Sequence, residues 1–488
     1  MNQQPSEKLS VLEKIGYSLG DLAANLIFQT LMAFLAFFYT DIYKIPASKA
    51  SLVMLTGGIV GAIFNLAMGA IADRTVTRWG KFRPWVLWTA IPFGVMALLA
   101  FSTPDLGDSG KFLYALITYI FLVVIYSANN LPYSALSGVM TGDMKERNSL
   151  SSYRFVAVML AQFIIQVILL PAAIAVGHGD KAVGFEKVML IFAITGVLCF
   201  LVTFFTTKER IVPAQQQKTP IVDDLKDLRN NRPWIIMLVL TVLVFITLAL
   251  KGGMNIYFFR YYLTENSQVA FLENVGFPSW IKQLSEIFGA EAFSEFSQSN
   301  SAPYATSSII NASSTIAMIV GIFFSKPLAD KFGKRNIFAS FLCLSALCLL
   351  SIYVISNESV SAVFVIQTLH GLLYGVTIPL LWAMIADVAD YSEWKNNRRA
   401  TAIIFSAMIF GLKVGLSVGG AISTWMLSIF GYNADAQQQT DSAINGIKLL
   451  VSVIPGGLFI VGATLLLGYM IDKTMELTIE ADLKERRK

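Results

Sequence analysis

Long apolar stretches alternate with short polar links along almost the whole chain. They cover residues 17–40, 48–72, 84–103, 112–133, 153–176, 186–207, 233–261, 306–328, 336–355, 361–386, 400–430 and 449–472. A helix needs about 20 apolar residues to cross a bilayer, and main-chain polar groups in lipid must be satisfied within a helix or a closed barrel. The alternating pattern of a membrane β-barrel is absent. The pattern therefore predicts an all-α membrane protein with twelve transmembrane helices.

The polar links alternate in charge. Basic residues gather in every second link and in the tail, namely Arg74, Arg78, Lys81 and Arg83, then Lys145 and Arg147, then six between 208 and 232, then Lys331, Lys334 and Arg335, then Lys395, Arg398 and Arg399, and finally 484–488. The positive-inside rule places both termini and the 208–232 link in the cytoplasm. This linker separates a bundle over 1–207 from a bundle over 233–472, and 473–488 forms a cytoplasmic tail.

The segment 264–305 is an insert on the predicted outer side. It is polar to acidic and contains several aromatic residues. Residues 288–296 fit a short amphipathic helix on the membrane surface or over a substrate path. Two readings stay open, a lid over that path and a surface loop without a role in transport.

Composition supports the membrane assignment. The chain is 55% hydrophobic and 14% charged, whereas soluble domains carry about 25% charged residues. The three cysteines, Cys199, Cys343 and Cys348, all lie in apolar stretches and show neither a disulfide framework nor a metal-ligand spacing. We expect no cofactor, no bound metal and no nucleic-acid partner.

Two short motifs recur in the halves of the chain. Residues 69–84 and 326–336 share a small residue, an Asp, a basic residue, a Gly and a basic cluster in the same order. A second acidic and basic pair of segments recurs two helices later, at 142–148 and 386–399. Halves repeated in this way are typical of major facilitator transporters, which consist of two pseudo-symmetric six-helix bundles.

The charges in these motifs could form ion pairs that hold one state of a gate. The candidates are Asp73, Arg74, Arg78, Asp143, Arg147, Asp330, Asp387, Asp390, Glu393 and Arg398. The alternative is that they only fix topology. The positive-inside rule explains the bases but not the interleaved acids, which favours the gate.

Charged and polar residues also occur at membrane depth, where a charge costs roughly 2.5 kcal/mol or more. Lys251 and Lys413 are the clearest cases, and we expect them to line a polar cavity where the bundles meet. The full set of candidate substrate-binding residues is Asp21, Asn25, Tyr126, Asn129, Asn130, Arg154, Lys251, Asn255, Trp382 and Lys413. The alternative for the asparagines is that they only form hydrogen bonds between helices. His370 is either a core residue or a proton carrier. Glycines spaced by four, such as Gly371 and Gly375, indicate close helix packing.

Several longer motifs resemble one transporter family. They are Gly16-Tyr-Ser-Leu-Gly-Asp21, Phe38-Tyr-Thr-Asp41, Arg78-Trp-Gly-Lys-Phe-Arg-Pro-Trp85, Leu131-Pro-Tyr-Ser134, Tyr153-Arg-Phe155 and Ala386-Asp-Val-Ala-Asp-Tyr-Ser-Glu393. Over nearly the whole chain, except 264–305, the sequence resembles the glycoside–pentoside–hexuronide cation symporter family. The resemblance implies sugar uptake by alternating access, with a proton or sodium ion as the coupling partner.

The resemblance also exposes departures. The family's acidic cation ligands correspond to Gly61, Asn65 and Asn130 in this chain, all of them uncharged. Its sugar-binding acid corresponds to Asn25, whereas Tyr126, Arg154 and Lys413 are retained. Because a hard cation such as sodium prefers several oxygen ligands, charged ones above all, sodium coupling by the family's route is in doubt.

Charge balance suggests a substrate class. Arg154, Lys251 and Lys413 bring three cations to the embedded region, and Asp21 is the clearest acid to offset them. An excess of positive charge favours an anionic ligand or an uncharged lysine. We therefore expect acidic sugars, such as uronides or oligosaccharides that contain them, among the substrates, and a proton-linked or salt-bridging role for Asp21.

Other functions compete with this one. A lysolipid-type carrier could share the fold, and a membrane-embedded enzyme is the second alternative, although no metal-protease, Walker A or catalytic-triad motif occurs in the apolar stretches. We expect a monomeric transporter in a bacterial inner membrane rather than an enzyme.

Overall fold

The computed structural model describes residues 8–141, 144–178, 180–210, 231–277, 301–396, 401–436 and 438–486. Within these ranges the chain forms helices and no strand, apart from an isolated bridge between Thr77 and Gly80. Twelve helical spans in these ranges are long and apolar enough to cross a membrane. The all-α membrane fold predicted from the apolar stretches is therefore confirmed.

The helices of the first half are α1 (Val11–Phe37), α2 (Ala47–Arg74), α3 (Arg83–Ala100), α4 (Asp108–Met140), α5 (Met144–Gly177) and α6 (Lys181–Thr206). Those of the second half are α7 (Arg232–Tyr257), α8 (Glu265–Asn274), α9 (Ala302–Phe332), α10 (Lys334–Ile352), α11 (Val360–Asn396), α12 (Thr401–Ile429), α13 (Asp441–Val451), α14 (Val453–Leu467) and α15 (Lys473–Arg486). The short α8 lies in the insert, whose predicted helix over 288–296 falls outside the described residues.

The last apolar stretch begins earlier than the sequence predicts. It starts at Asp441 rather than near 449 and consists of α13 and α14, which meet at Ser452. The Thr440 side chain caps the new start by accepting a hydrogen bond from the Ala443 N–H at 3.2 Å. A cap of this kind satisfies a main-chain donor that a helix start leaves without a partner. The polar residues at the start of α13 interrupt the apolar run, so the sequence places the start of this span too late.

The chain folds into two compact units. Unit 1 comprises Met1–Gln216 together with Val275–Ser308 and Asn433–Asp435, and unit 2 comprises Gln217–Asn274, Ile309–Tyr432 and Ala436–Lys488. Two polar contacts join the segments Val275–Ser308 and Asn433–Asp435 to the rest of unit 1. Lys181 donates to the Tyr304 hydroxyl at 2.6 Å, and Lys44 pairs with Asp435 at 2.9 Å.

The first long helix of each half ends in the same unusual way. A π-helical turn over Phe38–Ile42 follows α1, and another over Phe258–Tyr262 follows α7. Such turns are rare and are frequent at functional sites. Each one lies in an aromatic segment, so the repeat extends beyond the two motifs recognised in the sequence.

Tight glycine contacts hold α9 against α11 in unit 2. A Cβ atom at Gly371 would lie 2.2 Å from the Ser314 carbonyl oxygen, and one at Gly375 would lie 2.1 Å from the Met318 carbonyl oxygen. Neither position has room for a side chain. The close packing that the spacing of these glycines predicts is confirmed, and it fixes the helix that carries His370.

The two repeated links differ in length, since residues 75–82 separate α2 from α3 whereas Gly333 alone separates α9 from α10, but each contains a glycine with positive φ. Gly80 has φ +113° and Gly333 has φ +86°, in the left-handed region that favours glycine. Both residues stand directly before the basic cluster of their link. The recurring glycine of the motif therefore has a conformational reason.

An arginine after each of these glycines reaches the end of the last span of its unit. Arg83 donates to the Phe204 carbonyl at 2.7 Å in unit 1, and Arg335 donates to the Tyr469 carbonyl at 3.0 Å in unit 2. Helix ends leave carbonyl groups without main-chain partners, and arginine side chains can satisfy them. The basic clusters thus have a structural role besides topology.

Candidate functional site

An ion pair joins α1 to α5 within unit 1. The Arg154 Nε donates to the Asp21 carboxylate, and the two side chains are 28% and 5% exposed, respectively. The Arg154 guanidinium also lies over two aromatic rings, 5.6 Å from the centroid of Tyr17 and 5.4 Å from that of Tyr133. A carboxylate and two π faces therefore surround one guanidinium, an arrangement that stabilises its charge away from bulk water.

The two tyrosines hold each other in place. Their rings stack at 4.6 Å, and each hydroxyl donates to the main-chain carbonyl of the other residue, at 3.0 Å from Tyr17 and 2.6 Å from Tyr133. Both side chains are fully buried. They position Arg154 rather than offer a surface to a ligand. A Cβ atom at Gly20 would lie 2.4 Å from the Tyr133 ring, so glycine is needed there.

Tyr17 was not among the predicted site residues. It stands four residues before Asp21, on the same face of α1. It also belongs to the quoted motif Gly16-Tyr-Ser-Leu-Gly-Asp21. That spacing was the signal in the sequence that Tyr17 lies beside Asp21. The sequence of α1 alone does not show that the Tyr17 ring contacts Arg154 of α5.

The asparagines predicted for the site separate into different environments. Asn25 donates to the Asp21 carbonyl of its own helix at 2.9 Å. Asn129 is buried and donates to the Thr89 hydroxyl of α3 at 2.8 Å, so it bonds two helices together. Asn130 is half-buried on α4. Asn25 therefore bonds to the main chain of its own helix at Asp21, whereas Asn129 links α4 to α3.

Tyr126 of α4 lies close to this cluster. It interacts electrostatically with Asp21, and its half-buried ring lies between Phe28 at 5.8 Å and Phe93 at 6.1 Å. An aromatic ring beside a charged pair suits the C–H face of a sugar. Tyr126 is thus a candidate ring for contact with a ligand.

Two of the uncharged positions that replace the family's cation ligands differ in character. Gly61 is buried against α4, where a Cβ atom would lie 2.1 Å from Val123 Cγ1. Gly61 is therefore a packing residue. The Asn65 Oδ1 atom is buried and has no hydrogen-bond partner in the described part of the chain. An amide oxygen of this kind is a candidate acceptor for a ligand.

Lys251 and Lys413 both belong to unit 2, on the neighbouring helices α7 and α12. Both side chains are half-buried. Lys251 interacts electrostatically with Cys348 of α10 and His370 of α11. In the described ranges Lys251 forms no ion pair.

Two further predicted site residues also lie in unit 2. Asn255 donates to the Asn311 amide oxygen of α9 at 2.8 Å, so it links two helices. Trp382 of α11 is 40% exposed. An exposed indole can offer its face to a sugar ring, whereas Asn255 has at least one bond that a ligand would have to replace.

The predicted gate residue Asp387 lies in an ion-pair network. Lys334 Nζ lies 2.7 and 2.8 Å from the two Asp387 oxygens and 2.8 Å from Glu476 of α15. The indole N–H of Trp394 donates to Asp482, also on α15, at 2.7 Å. Residues 473–488 were predicted only as a cytoplasmic tail, and the contacts of Glu476 and Asp482 were not predicted, because their partners lie about 90 to 140 residues earlier in the chain.

The other gate candidates are spread over both units. Arg74 and Asp330 are exposed, Asp390 and Glu393 are half-buried, and Arg78 lies 4.5 Å over the Trp79 ring. Asp143 and Arg398 lie outside the described residues, as do the side chains of Asp73 and Arg147.

Unit 1 contains an acid that the gate prediction did not include. The Glu209 carboxylate accepts hydrogen bonds from the main-chain N–H groups of Lys81, Phe82 and Arg83 at 2.7 to 2.8 Å. These groups lie at the start of α3, where main-chain donors lack helical partners and favour an anion. Glu209 thus binds the end of α6 to the start of α3.

A family model described as MFS/sugar transport protein matches residues 16–294 and 296–473. The chain belongs to this family. The match covers both units and confirms the resemblance drawn from the quoted motifs.

Curated relatives of this sugar transport family align over nearly the whole chain. The inner membrane symporter YicJ of Escherichia coli (strain K12) is 35% identical, with 94% of this chain and 91% of the relative covered. The isoprimeverose transporter of Lactiplantibacillus pentosus is 31% identical, with 97% and 91% covered. A glucuronide carrier protein homolog of Escherichia coli (strain K12) is 26% identical, with 100% and 98% covered.

Solved transporter structures share the fold. The crystal structure of a D-xylose-proton symporter superimposes with a TM-score of 0.56 at 12% identity, and the match covers 95% of this chain and 97% of that chain. The sugar transport family and the twelve-span architecture therefore agree.

Proposed function

We propose that this protein is a secondary active transporter that takes up a sugar, a glycoside or an oligosaccharide across a bacterial inner membrane. Transport proceeds by alternating access and is coupled to a proton or a sodium ion. The observation that carries the proposal is the Asp21–Arg154 pair over two buried tyrosines, together with membership of the MFS/sugar transport family.

The pair supplies the hydrogen bonds that a sugar needs. The Asp21 carboxylate accepts from sugar hydroxyl groups, and Arg154 donates to their oxygens. Because the tyrosines already fix the guanidinium, little side-chain entropy is lost when the sugar binds. Tyr126, which belongs to the same unit as the pair, offers an aromatic face for the C–H side of the ring.

The charges favour an acidic sugar among the substrates. Asp21 offsets the charge of Arg154, whereas Lys251 forms no ion pair within the described ranges. A uronide would supply the carboxylate that Lys251 lacks, with a charge-assisted hydrogen bond as the result. The relative named as a glucuronide carrier homolog supports a uronide, and the relative named for isoprimeverose supports glycosides more generally.

The membrane arrangement follows from the distribution of basic residues. We place both termini, the 208–232 linker and α15 in the cytoplasm. The Lys334–Asp387 pair would then belong to a cytoplasmic gate that opens and closes during each cycle. The working unit is a monomer, since each of the two repeated halves contributes six spans.

Counterflow by purified protein in liposomes tests the proposal. Liposomes loaded with an unlabelled sugar are diluted into a trace of the labelled sugar, with glycosides, pentosides and uronides compared in turn. We expect a transient accumulation for at least one class and competition by uronides. Transport of lysolipids without counterflow of any sugar would contradict the proposal, and counterflow of uncharged glycosides without uronide competition would remove the uronide assignment.

A further inference from the structure

His370 of α11 has a buried imidazole ring, and one of its two nitrogens has no hydrogen-bond partner among the described residues. Its side chain is 3% exposed, and a hydrogen bond with the Ser345 main chain holds the ring. A carbonyl oxygen only accepts, so one ring nitrogen donates to it. The other, Nδ1, is buried and has no hydrogen-bond partner in the part of the chain that the structure describes. A buried acceptor without a partner is costly, and it is a place where a proton can bind.

The neighbours of His370 are aromatic rings and one amine. Tyr374 lies 6.0 Å and Phe459 6.4 Å from its ring centroid. Lys251 of α7 interacts electrostatically with His370 and with Cys348 of α10. The titratable groups that the described residues place beside the His370 ring are thus Lys251 and Tyr374, with Cys348 beside Lys251, and none of them is a carboxylate.

Two bases in one weakly polar environment compete for positive charge. While Lys251 carries its proton, repulsion between like charges opposes a proton on His370. A carboxylate bound at Lys251 would neutralise the ammonium and remove that repulsion. Binding of the anion and binding of the proton then favour each other, and this coupling is reciprocal by thermodynamic linkage.

We propose that Lys251 and His370 form the coupling site, where an anionic sugar and a proton bind together. The inference rests on the proposed function, because it needs a carboxylated substrate. The carboxylate binds the Lys251 ammonium, a proton from the outer solution binds His370 Nδ1, and both leave to the cytoplasm. One negative and one positive charge cross together, so transport is electroneutral.

Proton movement in the unmodified protein is the first test. Proteoliposomes that contain a pH-sensitive dye are given methyl glucuronide, and the proton influx is compared with the influx of labelled sugar. We expect equal numbers of protons and sugars, and a rate that does not change when a potassium diffusion potential is imposed. Net uptake of labelled glucuronide without proton influx would overturn the coupling site while leaving the proposed function intact. Absence of counterflow for every sugar would instead contradict the proposed function.

A histidine variant with a matched control is the second test. His370→Gln should abolish accumulation driven by a pH gradient, while counterflow, which needs no net proton movement, continues. The chain has one other histidine, His178, which is exposed at the end of α5, and His178→Gln should leave both activities unchanged. Full accumulation by His370→Gln would overturn the proposal. If that variant fails to fold, the proton-to-sugar ratio of the unmodified protein still decides.

Discussion

Asp21 on α1 and Arg154 on α5 form a mostly buried ion pair, and the stacked rings of Tyr17 and Tyr133 lie beside the guanidinium. Removal of one partner leaves an uncompensated charge in a weakly polar environment, which costs about 3–5 kcal/mol. Asp21→Asn and Arg154→Gln should therefore each lower the melting temperature of the purified protein. The double variant should be more stable than the sum of the two changes predicts, as a double-mutant cycle of melting temperatures would measure.

An exposed ion pair in the same unit serves as the control. Lys44 and Asp435 lie 2.9 Å apart with side chains 40% and 77% exposed. Exposed pairs contribute about 0–1 kcal/mol, so Lys44→Gln should change the melting temperature little. Equal effects of Lys44→Gln and Arg154→Gln would contradict the role assigned to the Asp21–Arg154 pair.

Lys251 should distinguish charged from uncharged sugars. A hydrogen bond to a charged group contributes about 1.5–3 kcal/mol, so Lys251→Gln should raise the KM for a glucuronide by roughly tenfold or more. The KM for the corresponding methyl glucoside should change much less. Parallel initial-rate measurements on the two sugars check this, with the exposed Lys187 replaced by Gln as the control for loss of one positive charge. Equal losses for both sugars would show that Lys251 is structural.

The tail helix α15 should stabilise unit 2 through Glu476. Lys334 contacts both Asp387 and Glu476, so Lys334→Gln leaves two acids without their common partner, whereas Glu476→Gln leaves the Lys334–Asp387 pair intact. We expect the lysine variant to be the less stable of the two and to transport more slowly. Melting temperatures and initial uptake rates measure this, and Lys326→Gln, at an exposed position of α9, is the control. A larger effect of Glu476→Gln would reverse this assignment.

Gly375 should not tolerate a side chain. A Cβ atom there would lie 2.1 Å from the Met318 carbonyl oxygen, whereas none of the surrounding atoms lies within 4 Å of a Cβ atom at Gly457 of α14. Overpacking costs about 1–3 kcal/mol, and replacement of glycine by alanine inside a helix gains up to about 1 kcal/mol. Gly375→Ala should therefore destabilise the protein and Gly457→Ala should not. A stable Gly375→Ala variant would show that α9 and α11 can separate.

The sequence predicted the spans well because apolar length is a local property. The bilayer sets the number of apolar residues, and each stretch carries that information by itself. The start of the last span was placed late, because the polar residues of α13 interrupt the apolar run. The π-helical turns after α1 and α7 were not predicted, since nothing in the hydropathy pattern distinguishes them from ordinary helix ends.

The site was harder to predict, because the position of a residue along a predicted span does not tell which neighbouring helix its side chain contacts. Asn25 and Asn129 both lie in helices that are long and apolar enough to cross a membrane, yet Asn25 bonds to the Asp21 carbonyl of its own helix and Asn129 bonds to Thr89 of α3. One helix shows which residues share a face but not which neighbour that face meets. Tyr17 and Glu476 were missed for the same reason, since their partners come from distant parts of the chain.

Concentrative uptake tests the central claim most directly. Proteoliposomes with purified protein are given a labelled glucuronide under an imposed pH gradient, acidic outside, or an imposed sodium gradient, and the steady-state ratio of inner to outer sugar is measured. We predict a ratio well above unity with the pH gradient and a return to unity when a protonophore is added. A ratio that stays at unity under both gradients would contradict ion-coupled uptake of this sugar.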